Sequence, residues 1–126
     1  MASVINKINT GSTEYAIAST AYATCSTAAS TAAKVAYILG TTATSGFTLT
    51  TGVTVYVKFT NTDTNDDTTK PTTLSINGCT AKPIKRNNVT IAPGELQANC
   101  VYAFLYDGTY WQLVNGGPAV VINTWD

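Results

Sequence analysis

The residues best placed to do chemistry are Asp63, Asn65 and Asp67, in the stretch "DTNDD". Oxygen-bearing side chains at every second position match D-x-N-x-D, the opening of an EF-hand calcium loop. The match then stops, because Thr68 stands where that loop needs glycine and Leu74 where it needs a bidentate glutamate. The expected reading is a solvated loop, with these three residues as the metal candidates in some other geometry. General acid–base chemistry finds less. The carboxylates are Glu14, Asp63, Asp66, Asp67, Glu95, Asp107 and Asp126, mostly in the acidic loop, at turns or at the terminus. A working pair would have to come within about 5–10 Å, and no spacing brings one together.

Histidine is absent, which removes the commonest general base and the commonest transition-metal ligand. Cys25, Cys79 and Cys100 are odd in number and far apart with no C-x-x-C, so they read as small thiols. No nucleophile elbow, phosphate loop or dinucleotide fingerprint occurs. The sequence therefore predicts no enzyme and no cofactor.

The aromatic residues offer a different chemistry. Tyr102, Tyr106, Tyr110 and Trp111 fall on one hairpin, with Tyr56 on another strand. Rings with a polar handle stack on sugar C–H groups, bury area at subunit interfaces, or fill a core. The four hairpin residues are accordingly the ligand or interface candidates.

The elements that must position them are strands. In "AFLYDGTYWQLV", Asp107-Gly108 predicts a two-residue type I′ turn, which needs positive φ at both central positions. Tyr102, Phe104 and Tyr106 then share one face, with Ala103 and Leu105 on the other. Trp111 and Leu113 alternate against Tyr110, Gln112 and Val114 in the same way. "GVTVYVKFT" places Val53, Val55, Val57 and Phe59 inward and Thr54, Tyr56, Lys58 and Thr60 outward. Residues 61–72 form a polar loop, and "TLSI" is a strand with Leu74 and Ile76 inward, ending at Asn77-Gly78. Asn87-Asn88 marks another turn, with Val89, Ile91 and Leu96 as core candidates.

The opening residues predict two short strands around Thr10-Gly11-Ser12. The Ala-rich segment after Tyr22 predicts a short turn, or at most one short helical turn, near 27–33, then a strand over 34–39. A last strand follows Gly116-Gly117-Pro118 in "AVVINTW". Short strands separated by turns predict an all-β chain, a single antiparallel jelly-roll-like β-sandwich over residues 15–116. Residues 1–14 and 117–126 flank it, the latter as a C-terminal strand or tail.

Only 11% of the 126 residues are charged, and the net charge is zero. Without clustered Lys and Arg, nucleic acid is not an expected partner. No apolar run approaches the ~20 residues of a membrane span, and the first fourteen residues carry no apolar signal region. About two dozen threonines take the place of charge. Such strands lack charged gatekeepers at their edges, which predicts that copies of the chain cover one another.

The phrases "YATCSTAASTAAKVA", "GFTLTTGVTVYVKFTNT", "TLSINGCTAKPI" and "YAFLYDGTYWQLV", in that order, resemble a module of phage and prophage tail-fibre and minor structural proteins. The likeness covers roughly residues 15 to 115 and is closest in "YDGTYWQLV". It implies a β-structured, usually trimeric virion surface component, made in the host cytoplasm and associated with host attachment. It implies no catalytic residue. The expected partners are the chain itself as a homotrimer, other capsid or tail proteins, and a host surface glycan. The chain begins at its own Met and contains no collagen-like or coiled-coil shaft. That favours a small stand-alone part such as a capsid decoration or head fibre over a distal fibre tip. Tyr106, Tyr110 and "VVINTW" are the residues expected at a trimer interface, and a carbohydrate-binding module is the alternative reading.

Overall fold

The computed structural model describes residues 7–10, 13–16, 21–38 and 47–116. Strands β1 (Lys7–Thr10) and β2 (Thr13–Ala16) pair antiparallel, with Thr10 in register with Thr13. They form a sheet of their own, and Gly11 and Ser12 of the expected turn lie outside the described residues. The remaining strands are β3 (Ala21–Cys25), β4 (Ala33–Ile38), β5 (Thr54–Phe59), β6 (Thr73–Ile76), β7 (Lys82–Arg86), β8 (Val89–Thr90), β9 (Cys100–Tyr106) and β10 (Trp111–Gly116). The expected final strand in "AVVINTW" lies outside the described residues.

The antiparallel sandwich expected from the sequence does not form. Seven strands run β10-β9-β5-β3-β4-β6-β7, and β10 pairs with β7 to close the ring into a barrel. The barrel is mixed, because β3–β5, β4–β6 and β7–β10 are parallel and the other ring pairs antiparallel. Alternation and turn residues establish that strands exist, but pairing partners and strand direction are set by long-range contacts. Closure also meets the edge problem within one chain, since a ring exposes no unpaired edge. Of the strands in this sheet only β8 stands outside the ring, as a short flap on β7.

Strand β5 holds the centre, with Val55, Val57 and Phe59 inside and Tyr56 outside. Each inward side chain contributes about 1.5–3 kcal/mol by leaving water. Leu74, Ile76, Ile84, Leu96, Phe104 and Trp111 complete the interior. Of the expected core residues around the Asn87-Asn88 turn, Ile91 and Leu96 are buried but Val89 is 66% exposed. It sits on the flap, which has no layer above it. Asn77-Gly78 and Asn87-Asn88 both take left-handed conformations, the type I′ geometry that matches strand twist.

Of the two alternatives for residues 27–33 the short turn forms, with Thr31 N donating to Ala28 O at 3.1 Å, and no helix. The Ala28 and Ala29 carbonyls instead accept from the Lys34 ammonium. The link between β9 and β10 is a four-residue loop, not a two-residue type I′ turn. Asp107 has no positive φ, Gly108 does (φ 100°), and Tyr106 is in register with Trp111.

Candidate functional site

The acidic loop shows what its alternating oxygens do. Asp63 Oδ1 accepts from Asn65 N at 3.1 Å, Asn65 Oδ1 from Asp67 N at 3.2 Å, and Asp67 Oδ1 from Thr69 N at 2.9 Å. Each side chain caps the backbone two residues on, a run of Asx turns that uses the D-x-N-x-D spacing for chain direction. Asp63 also turns inward, where its carboxylate meets Lys34 Nζ at 3.1 Å and accepts from Thr72 Oγ1 at 3.0 Å. The three metal candidates thus lie in series rather than around a point. Among the described residues no group of three or more His, Cys, Asp or Glu side chains converges to hold an ion.

Beside this loop lies an open cleft of about 300 Å³, with Ile91, Pro71 and Pro93 as apolar walls and Asp66 and Asp67 at its rim. The Thr69 hydroxyl and backbone N–H hold the Asp67 carboxyl below its ordinary range. A carboxylate held ionised in this way is a poor proton donor near neutrality. Glu95 is likewise engaged, pairing with Arg86 and accepting from Ala92 N at 2.9 Å.

Asp107 is occupied by its own loop. Its Oδ1 accepts from Tyr110 N at 2.7 Å and Thr109 N at 2.8 Å, and its Oδ2 from Gln112 Nε2 at 2.8 Å. The Tyr110 bond, then the Gln112 and Thr109 bonds, lower its pKa. Gln112 Nε2 also donates to Asn88 Oδ1 at 2.7 Å, tying this loop to the β7–β8 turn. The three cysteines are free thiols.

Of the four aromatic candidates, three lie inside the barrel. Tyr102, Tyr106 and Trp111 are buried, and a ring in that position has no face left for a ligand or a neighbour. Tyr102 packs edge-on against Phe59 at 5.7 Å, and Tyr106 lies 5.5 Å from Trp111. The Tyr102 hydroxyl accepts from Gln97 N at 2.7 Å and donates to Glu95 O at 3.1 Å. Burial pushes its phenol above the ordinary value. Tyr106 donates to Gly108 O at 2.9 Å, whereas Trp111 Nε1 has no hydrogen-bond partner among the described residues. Only Tyr110 stays near the surface, with Lys85 Nζ 4.8 Å from its ring centre.

The exposed rings are elsewhere. Tyr22, Tyr37 and Tyr56 are 39%, 44% and 41% exposed on the adjacent strands β3, β4 and β5. Tyr22 is in register with Tyr56, and Tyr37 with Thr24, two residues along β3 from Tyr22. Tyr56 was recognisable from the alternation of its strand. Tyr22 was hidden in the Ala-rich segment and Tyr37 alternates there with Val35 as if facing inward, because the true inward residues Ala23, Cys25 and Ala36 are small and make no visible apolar stripe. Across the barrel, Val89 on β8 and Val114 on β10 are 66% and 55% exposed.

Comparison with known protein families, curated proteins and solved structures finds no match to this chain. The functional reading therefore rests on the residues themselves.

Proposed function

We propose that the chain is a bacteriophage virion protein on the particle surface, a capsid decoration, head fibre or tail-fibre component, that acts by binding. It assembles with copies of itself, as a trimer. The observation that carries the binding role is how its exposed apolar groups divide. In the seven-strand ring β3 lies three strands from β10 by one path and three from β7 by the other. Tyr22, on the middle strand of the three tyrosines, therefore sits across the barrel from Val89 and Val114, with Val101 of β9 between the two groups. Self-association on the β7–β8–β10 side leaves the three tyrosines facing outward. The ordered likeness to tail-fibre and minor structural modules supports the virion setting and the number three.

Antibody labelling of purified particles tests the setting. Gold label at repeated positions on heads or tails is expected. Antigen confined to the soluble lysate, with unlabelled particles, would overturn it.

A further inference from the structure

Lys58 points outward from β5, two residues beyond Tyr56, in register with Thr24 of β3 and Val101 of β9. Among the described residues its ammonium has no ion-pair or hydrogen-bond partner. Strands β3, β4, β5 and β9 contain no Asp or Glu, so among the described residues of these strands no carboxylate answers this positive charge. Around the lysine stand Tyr22, Tyr37 and Tyr56, whose phenol oxygens make no hydrogen bond among the described residues. Adjacent strands lie about 4.8 Å apart, so Tyr22 and Tyr56, which are in register, stand as neighbours on this face.

Among the described residues this surface offers exposed rings, phenol hydroxyls without a hydrogen bond and one cation without a partner, which complements a ligand with a flat C–H patch, hydroxyls and a negative charge. A pyranose bearing a carboxylate unites the three. A glycerol- or ribitol-phosphate polymer offers charge without a ring to stack, and a neutral sugar leaves Lys58 unanswered. A second copy of the same face is a poor occupant, because a two-fold contact sets like charges together with no carboxylate between them. Lysine also suits this site, as a single point charge rather than the planar fork of arginine.

We infer that the β3–β4–β5 face binds an acidic polysaccharide of uronic-acid pyranoses, with the three tyrosines stacking on sugar rings and Lys58 pairing with a carboxylate. The inference rests on the reading of that face as a binding surface, and not on where in a particle the protein sits.

Calorimetric titration with polygalacturonate, alginate and hyaluronate fragments, against neutral dextran fragments, tests it. Binding to at least one acidic polymer is expected, weakening as salt rises. Tyr22→Ala and Tyr56→Ala should each lower affinity about tenfold, while Phe at either position retains most of it. Lys58→Met should cost about threefold and remove the salt dependence. All three positions lie outside the core, and unchanged cooperative unfolding confirms intact variants. Failure to bind any of the three acidic polymers, equal affinity for dextran, or unchanged affinity in both alanine variants would overturn the inference. Particle labelling is independent of these titrations, so failure of the virion setting and failure of the ligand assignment are distinguishable.

Discussion

Lys34 Nζ lies 3.1 Å from an Asp63 carboxylate oxygen, and both side chains are only 1% exposed. The ammonium is fully engaged, because its other contacts are the Ala28 and Ala29 carbonyls, each at 3.1 Å. One ion pair therefore fastens β4, the turn at 28–31 and the acidic loop. Thr64 N, bonded to Ala29 O at 2.9 Å, strengthens the same junction.

Removing one partner leaves a buried charge uncompensated. Lys34→Met and Asp63→Ala should each cost about 3–5 kcal/mol. The double variant should cost clearly less than the two losses added together, since no lone charge remains. Urea unfolding of the four proteins measures the cycle, and strict additivity would show that the pair is not coupled.

The same pair explains why β4 was only half legible. Val35 and Tyr37 look like the apolar face of a strand, yet they point outward while Lys34 and Ala36 point in. A lysine reads as a surface residue unless its partner, 29 positions away, is known (63 − 34). Strand β5 was readable because its large residues alternate without a polar intruder. The barrel was not readable, because the closing contact of Trp111 with Ile84 and Gln112 with Lys85 is a long-range pairing with no local signature. The buried aromatics followed correctly from face alternation. Their role as core, rather than as a ligand surface, depended on which side of the sheet the ring would enclose.

Gly116 is required by the way β10 meets β9. The register shifts between Leu113 and Asn115, and Gly116 follows with φ at +114°. A Cβ there would come within 2.5 Å of Tyr102 Cα and also strike the Val101 carbonyl. Gly116→Ala should destabilise the fold by about 2–4 kcal/mol, combining overpacking with a disfavoured φ. Gly94→Ala meets nothing within 4 Å and carries only the φ strain, so it should cost about 1 kcal/mol. Equal losses in the two variants would remove the steric argument.

Tyr102 makes stability fall at high pH. Burial raises its pKa in the folded chain, so folding favours the protonated phenol. That contribution is complete below the ordinary tyrosine value of about 10 and is lost as pH rises through the higher folded value. Tyr102→Phe leaves Gln97 N and Glu95 O without their partner and should cost about 1–3 kcal/mol near neutrality. The variant should also lose part of the alkaline decline in melting temperature. An unchanged alkaline slope would assign that decline to other groups.

The mass of the assembled protein tests the division of faces. Light scattering should give about three times the 13.2 kDa chain mass. Val89 and Val114 are the most exposed large apolar residues described, and they lie on the β8 and β10 side. Val89→Asp combined with Val114→Asp places like charges where the copies are expected to meet, and neither residue supports the core. The double variant should fall to the single-chain mass with its circular dichroism unchanged and its affinity for acidic saccharide retained per chain. A trimer that survives both aspartates would move the interface elsewhere on the barrel. A single-chain mass for the unaltered protein would end the trimer proposal and leave the two valines as ordinary exposed surface.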